Sequence, residues 1–510
     1  MASIKNNLDI ILLSTPVYDW TESDYKKGNA IEKKSDNAIV PAAAIFHLKG
    51  NLNKNNFSSL CLDFNLHMNG HFAELNKWED VCLSLINRNQ SEGNILHHFD
   101  IKSALENISE KLEIDKDIIP FTESYIIEKI KVHSPKFIGI SVFSTNSQKI
   151  TVVLCTLLRK LLPDTKIILG GCGLGNDIGG ERVFGKTLLK HNLADFYISG
   201  DGEISLVELL KGNISYNGIN SIDTIHFPNI HDYDEIDDLD SLPFPDWSDL
   251  VYGNYKILEN NSISLAVTGS RGCVRNCSFC DVAQYWHKFR FRSGENIAKE
   301  LIRNKEEYGV ISNHFTDSLI NGSMKAFRNL CGVLTDYHEN LPQEEKIIWG
   351  GQFIARPANQ QTENDYNLMQ SANLEFTCIG VESGSESVRH HMGKKFTNKD
   401  LYFTIEQLAK KDIKMILLFI VGYPTETERD FYDTVDLLNK YNYLVPNTII
   451  GINAGYTAWV INNTPLYHMS VWEGQQDRWV SSVVDGLNWE ERNRRQSILT
   501  DIVSKLGVSA

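Results

Sequence analysis

No apolar run in this 510-residue chain is long enough to span a bilayer. The opening stretch, Met-Ala-Ser-Ile-Lys-Asn-Asn, lacks both a basic region and a cleavage site, so no secretory signal is expected. Positive charge is in deficit: 50 Lys and Arg stand against 65 Asp and Glu, a net charge of −15. That balance disfavours a nonspecific grip on DNA or RNA backbones, and no nucleic-acid or membrane partner is expected. Regularly spaced cysteines are also missing. Of nine in all, Cys61, Cys82, Cys155, Cys172, Cys331 and Cys378 are scattered. This argues against a disulfide framework and for a reducing cytoplasm, where they act as small apolar residues. The length exceeds one ordinary core, so two or three domains are expected.

What the chain does have is one cysteine run, Gly269-Ser-Arg-Gly-Cys-Val-Arg-Asn-Cys-Ser-Phe-Cys280. Cys273, Cys277 and Cys280 are spaced C-x-x-x-C-x-x-C. Three thiolates on a tight loop can hold three irons of a cubane cluster and leave the fourth open, whereas four-cysteine ferredoxin loops close it. A zinc site or a disulfide knot is the plainer reading. Zinc asks for a fourth Cys or His at matching spacing, and none follows closely.

Short apolar runs alternate with helix-like stretches through the first half. Strands are expected at 9–14, 59–63, 137–143, 166–170 and 194–199, with a helix at 152–162. Such alternation points to a parallel sheet covered by helices, whose ligands bind beyond the strand C-terminal ends. Glycines collect at those ends: Gly170, Gly171 and Gly173 in one run, Gly200 and Gly202 before Glu203 in another. Residues 213–260 change character, with an acidic run and then Leu242-Pro-Phe-Pro-Asp-Trp247, and read as a linker. The stretch 70–123 is longer than a crossover needs and receives no role.

From residue 261 the pattern becomes strand-then-helix units. Strands are expected at 264–268, 311–316, 346–349, 376–381, 415–421 and 448–452. Six such units suggest a partial (β/α) barrel with its reactive groups at the strand C-terminal ends. Asp317, Gln352, Arg356, Glu382, Ser383, Gly422 and Tyr423 all fall at those ends. The tail, residues 470–510, reads as helical, with three tryptophans and the basic run Arg492-Asn-Arg-Arg495.

The cysteine run and these strand-end residues resemble the radical S-adenosylmethionine (SAM) enzymes. The glycine turns of the first half, in their order, look like the Rossmann-like cobalamin-binding domain found ahead of many of them. The resemblance implies an α/β chain in four parts. These are a cobalamin-binding domain at 1–212, a linker at 213–260, a partial (β/α)6 radical SAM barrel at 261–469 and a helical tail at 470–510.

It further implies that Cys273, Cys277 and Cys280 ligate a [4Fe–4S] cluster and that SAM chelates its open iron. Asp317, Gln352, Arg356, Glu382, Ser383, Gly422 and Tyr423 would line the SAM site. There Arg356 would pair with the SAM carboxylate, and Tyr423 would stack on the adenine. Ser144, Thr145, Gly170, Gly171, Gly173, Gly200, Gly202 and Glu203 would meet cobalamin. His67, in Asp63-Phe-Asn-Leu-His-Met-Asn-Gly70, is two residues out of register with the motif in which histidine ligates cobalt, and is not expected to do so.

The implied reaction is methyl transfer from methylcobalamin to an unactivated carbon after a 5′-deoxyadenosyl radical removes hydrogen. Its substrate would be a small molecule or peptide held between the two domains, and its electrons would come from a flavodoxin- or ferredoxin-like donor. Two alternatives stay open: cyclisation or rearrangement on the same cofactors, and a non-catalytic corrin or redox sensor. A methylthiotransferase would need an extra N-terminal cysteine set and a C-terminal RNA-binding barrel, for which the tail is short.

Overall fold

The computed structural model describes residues 7–16, 41–75, 115–144, 147–175, 183–223, 233, 235–250, 263–458, 460, 464–472 and 479–508. Thr145, Cys82 and most of the stretch 70–123 lie outside them. The chain separates into two compact units, Met1–Asp237 with Ser241–Ile263 and Ser264–Ala510 with Asp238–Asp240.

The first unit is a six-stranded sheet in the order β2-β1-β3-β4-β5-β6. Its strands are β1 (Ile10–Ser14), β2 (Ser59–Leu62), β3 (Phe137–Ser141), β4 (Lys166–Gly170), β5 (Phe196–Ile198) and β6 (Ile219–Asn220). The first five run parallel and β6 is antiparallel to β5. The run Ile-Ile-Leu-Leu-Ser of β1 is buried throughout, as a strand covered on both faces must be. Helices α1 (Ala43–Lys54), α2 (Phe64–Glu74), α3 (Asp115–Tyr125), α4 (Gln148–Leu161), α5 (Val183–Lys190) and α6 (Gly202–Leu210) accompany the sheet. The order 2-1-3-4-5 reverses direction between β1 and β3, the switch point at which doubly wound sheets hold ligands.

Part of the proline-rich segment packs on this unit. Trp247 is fully buried, with its ring 4.6 Å from Phe46 of α1. Asp249 receives the Cys61 amide and an ion pair from Lys49.

The second unit holds six parallel strands in sequential order, β14-β13-β12-β11-β10-β7. They are β7 (Ser264–Val267), β10 (Ser312–Phe315), β11 (Ile348–Phe353), β12 (Leu374–Glu382), β13 (Lys414–Val421) and β14 (Ile449–Thr457). A small antiparallel pair, β8 (Ser270–Arg271) and β9 (Arg290–Phe291), follows β7. Helices α7 (Gly294–Tyr308), α8 (Met324–His338), α9 (Glu363–Ser371), α10 (Glu386–Met392), α11 (Asn398–Lys410) and α12 (Glu428–Tyr441) connect the strands. This is the sequential strand–helix repeat that the sequence leads one to expect. Sharp starts come from local chemistry: Thr362, Thr397 and Thr427 each form a reciprocal capping box with the Asp three residues on.

The tail corrects the sequence reading. Before its helix α13 (Trp489–Lys505) comes an antiparallel pair, β15 (Ser470–Trp472) with β16 (Trp479–Ser481). Val471 faces Val480 and Trp472 faces Trp479 in register, and β-branched and aromatic residues favour this pairing over helix. Strand ends also shift, most at β14, expected to stop at residue 452 and running to Thr457.

Candidate functional site

The cysteine run begins where β7 ends. Gly269 N–H donates to one Asp317 carboxylate oxygen at 2.8 Å and Ser270 Oγ–H donates to the other. Asp317 lies just past β10, so it fastens the first strand's exit to its neighbour. The β8–β9 pair then closes the base of the loop 272–289. Arg292, beyond β9, donates to the Thr268 carbonyl at 3.1 Å and pairs with buried Glu300. Gly272 has φ +81°, and a Cβ there would sit 2.5 Å from the Lys288 carbonyl oxygen. Only glycine fits that crossing.

Inside the loop, Ser278 is the anchor. Its N–H donates to the Met392 carbonyl at 3.1 Å, and its own carbonyl accepts from Leu466 N–H at 3.0 Å. Its hydroxyl meets the Tyr423 hydroxyl at 2.7 Å. Cys277 is buried, Cys273 and Cys280 are half-buried, and all three are free thiols. Burial pushes the Cys277 thiol up, opposed by Lys394. Burial also lifts Cys280 to about 12, and the charges of Cys277 and Cys273 add to that rise. The three sulfurs thus share one electrostatic neighbourhood, and a bound cation is what would keep them ionised together.

Among the described residues no three His, Cys, Asp or Glu converge on a single ion. A tetrahedral zinc centre needs such convergence, whereas a cubane takes one thiolate per iron and suits spaced sulfurs. Three thiols on one loop are a donor set that fits a cubane with one iron left open.

The other residues expected around SAM all lie at the C-terminal edge of the sheet, but several side chains are already engaged. Asp317 is spent on the loop, and burial pushes its carboxyl up to about 7 despite the Ser270 and Gly269 hydrogen bonds. Arg356 donates to the Asn321 carbonyl at 2.8 and 3.2 Å, to the Gly322 carbonyl at 2.8 Å and to Gln360 at 3.3 Å. It braces that turn, which revises its expected role as a carboxylate partner. Tyr423 is fully buried with its hydroxyl on Ser278, so it supports the cysteine loop where an adenine platform was expected.

Ser383 is buried and accepts from Ser385 N–H at 3.2 Å. Gln352 is half-buried on β11, and its carbonyl accepts from Ile320 N–H at 2.8 Å. Glu382 ends β12 with φ +65°, uncommon for a residue with a side chain and a mark of an over-determined position. Its carboxylate pairs with Lys394 at 2.6 Å.

Gly422, at φ +73°, lies under the stem of Arg492, which a Cβ would meet at 2.4–2.5 Å. Arg492 is fully buried, its guanidinium carbon 3.8 Å from the Trp479 ring centre. Arg495 pairs with buried Glu426 at 3.0 Å, and Glu426 accepts from Gly422 N–H at 3.0 Å. The basic run of the tail is thus an internal clamp on the β13 exit. Sequence reasoning missed Ser278, Lys394 and Glu426, which carry no motif of their own. It noted the arginines as a run without placing them.

In the first unit the strand ends are tied together at the switch point. Thr15 Oγ1–H donates to the Ser141 carbonyl at 2.8 Å, and Ser14 Oγ–H to Asp63 at 2.7 Å. The glycines divide. A Cβ on Gly171 would lie 2.3 Å from the Val142 carbonyl oxygen, one on Gly173 2.6–2.8 Å from the Ser144 backbone, and one on Gly200 2.0 Å from the Tyr233 ring. These three make room for the protein's own chain. A Cβ on Gly202 would touch Leu48 at 3.4 Å, and one on Gly170 would meet nothing within 4 Å among the described residues.

The hydroxyls of Ser144 and Ser199 are buried without a hydrogen-bond partner among the described residues. They stand beyond β3 and β5, on either side of β4 with its open Gly170. Unsatisfied buried hydroxyls beside open backbone fit a polar ligand. Glu203, in the first turn of α6, is buried and its carbonyl is capped by Asn51. His67 sits on α2 with its ring 5.2 Å from Tyr125.

Residues 267–438 match the model of the Radical SAM superfamily. Among solved structures, the chain is similar to the radical S-adenosylmethionine methyltransferase TsrM from Kitasatospora setae, solved with tryptophan substrate and a SAM analog. That likeness has TM-score 0.59 at 15% identity and covers 96% of this chain and 89% of that one. It is also similar to the cobalamin-dependent S-adenosylmethionine radical enzyme OxsB with aqua-cobalamin bound, with TM-score 0.62 at 16% identity, over 98% of this chain and 67% of that one.

Among curated sequences, the anaerobic magnesium-protoporphyrin IX monomethyl ester cyclase of Synechocystis sp. is 23% identical over 349 residues, 66% of each chain. The cytidylyl-2-hydroxyethylphosphonate methyltransferase of Streptomyces wedmorensis is 23% identical over 340 residues, 59% of this chain. The matches span 66% and 60% of these relatives' own lengths. Residues 267–438 therefore form a Radical SAM superfamily domain, and the chain has the fold of these cobalamin-dependent radical SAM structures.

Proposed function

We propose that the protein uses a [4Fe–4S] cluster, SAM and cobalamin to transfer a methyl group to an unactivated carbon of a small molecule or peptide. The observation that carries this reading is the coexistence of two strand-end sites in one chain. One is a three-thiol loop fastened to a parallel sheet, and the other is a strand-end edge around β4 where the buried Ser144 and Ser199 hydroxyls have no partner among the described residues. When bound, the cluster with SAM supplies a hydrogen-abstracting radical, and the corrinoid supplies the methyl group.

The chain's own residues position and shield. Cys273, Cys277 and Cys280 hold the cluster, and Asp317, Ser278 and Tyr423 fix the loop on which they sit. Glu382, Ser383 and Gln352 line the SAM side, next to the β13 exit that Arg492 covers at Gly422. Ser144, Ser199 and Gly170 offer hydrogen bonds and space to the corrinoid. A low-potential one-electron carrier supplies the electron.

A second reading keeps these cofactors and replaces methylation by cyclisation or rearrangement. The similarity to the magnesium-protoporphyrin cyclase favours keeping it in view, since one scaffold hosts several reactions.

The test is anaerobic. Protein with reconstituted cluster is incubated with hydroxocobalamin, desalted and examined by ultraviolet–visible spectroscopy, then given SAM labelled in its methyl group. Stoichiometric corrin bands and label recovered in a product support methyl transfer. Corrin bands with 5′-deoxyadenosine but no transferred label support the second reading. A cluster without retained corrin removes the cobalamin part of both.

A further inference from the structure

We propose that Lys394, held by Glu382, is a positioning residue that sets a fixed positive charge beside the cysteine loop and raises the reduction potential of the cluster bound there. The inference rests on the loop being the cluster site. Three contacts put the turn 392–394 against that loop. The Met392 carbonyl accepts the Ser278 amide at 3.1 Å. A Cβ on Gly393 would lie 3.2 Å from the Asn276 carbonyl oxygen and 3.7 Å from the Cys277 Cα. Lys394 Nζ stands 5.7 Å from the centre of the Phe279 ring, between Cys277 and Cys280 in sequence.

The lysine is held in place. Its ammonium donates to the Gly380 carbonyl at 3.3 Å and pairs with Glu382 at 2.6 Å, and its side chain is 10% exposed. A buried ammonium needs such partners to stay charged, and burial, which lowers its proton affinity, is outweighed by Glu382 and the nearby thiols. The pair is not electrically neutral as the loop sees it. The ammonium is the member of the pair that stands against the loop, over the Phe279 ring.

The electrostatic consequence is direct. A cluster held by three thiolates is already anionic, and one further electron deepens that charge. A fixed cation in a poorly screened position favours the reduced form over the oxidised one. The hydrogen-bonding and charge environment of the sulfurs is a recognised lever on such potentials.

The test is a mediated redox titration of the reconstituted protein without SAM, following the reduced cluster by electron paramagnetic resonance, with iron and sulfide assayed on each sample. Lys394→Met is expected to keep its iron and to be at least tenfold harder to reduce at equilibrium, about 59 mV for one electron. Lys394→Arg keeps the charge and should stay within threefold of wild type. If the Met variant fails to fold around an unpaired Glu382, the double change Lys394→Met with Glu382→Gln removes that burden. It should still be harder to reduce than wild type. A fully loaded Met or double variant with an unchanged potential overturns the proposal while leaving the cluster reading intact. Wild-type protein that takes up no iron and sulfide sinks the cluster reading and this inference with it.

Discussion

The two sheets present their C-terminal edges in opposite ways. In the second unit the edge is written in side chains. Asp317 and Tyr423 reach across from neighbouring elements to hold the loop that carries the thiols, and Lys394 stands beside it. In the first unit it is written in backbone: Gly171 and Gly173 let two turns touch, and among the described residues Gly170 stays open and two serine hydroxyls have no partner. A site made of side chains tolerates shifts in its scaffold but not the loss of a single group. A site made of close-packed backbone is indifferent to most chemistry and intolerant of volume. That difference can be broken from either side.

Cys277→Ala should have the largest effect. Removing one of three thiolates is expected to abolish the cluster, read as loss of iron, of sulfide and of the broad visible shoulder, while corrin retention persists. If the cluster survives, Cys277 is not a ligand and the loop's role must be redrawn.

The next effect is one of pH. The Asp317 carboxyl is pushed up to about 7 by burial, against an ordinary value near 4 in the unfolded chain. Between those values the folded protein holds a proton that the unfolded chain has released, so this residue makes stability fall as pH rises from about 4 to 7. Three units correspond to at most about 4 kcal/mol. Asp317→Asn cannot ionise. Relative to wild type it should gain stability across that window and show no further relative change above it, as read from denaturant midpoints at several pH values. A difference that is flat with pH would mean that Asp317 keeps its charge in the fold.

How much of this was legible varies with the physics. Parallel strands buried on both faces read as unbroken apolar runs, and every one of the expected eleven strands exists. Two-residue β6 lies below what periodicity can resolve. The pair β15–β16 was hidden because tryptophans and valines serve helix cores as well as strands. The cysteine loop was legible from spacing alone. Its supports were not, since Tyr423 is 145 positions from Ser278 and nothing local marks them as partners. The glycines announced close approach but not of what, because φ and the absence of a Cβ are the same whether the neighbour is a ligand or the protein's own carbonyl. Arg356 and Tyr423 were given ligand roles for a similar reason. Residue type and strand-end position fitted, while the competing internal acceptors lay elsewhere in the chain.

The glycines sharpen the comparison further. Gly173→Val drives a branched side chain into the Ser144 backbone, where atoms already stand 2.6–2.8 Å from a Cβ. Overpacking of that kind costs about 1–3 kcal/mol. It should lower the unfolding midpoint and the corrin retained after desalting, with cluster content unchanged. Gly170→Ala points into open space and should leave stability within about 0.5 kcal/mol, the range of unconstrained sites. If it nonetheless expels the corrin, that open space is where the ligand sits. Equal corrin loss from both changes, or from neither, would erase the distinction between glycines that serve the fold and the one that serves a ligand.

The smallest effect tests the side-chain edge at its least essential point. Tyr423→Phe keeps the buried ring and deletes the hydroxyl that meets Ser278 at 2.7 Å. One neutral hydrogen bond contributes about 1 kcal/mol net, and leaving Ser278 without its partner raises the cost toward about 2. Because the Ser278 amide and carbonyl still bind Met392 and Leu466, the loop should keep its path and its iron. The variant should therefore lose a small amount of stability with full cluster content. Loss of the cluster in Tyr423→Phe would mean that the hydroxyl, and not the backbone bonds on either side of it, sets the position of Cys277 and Cys280. The two edges would then be alike in depending on a single close contact.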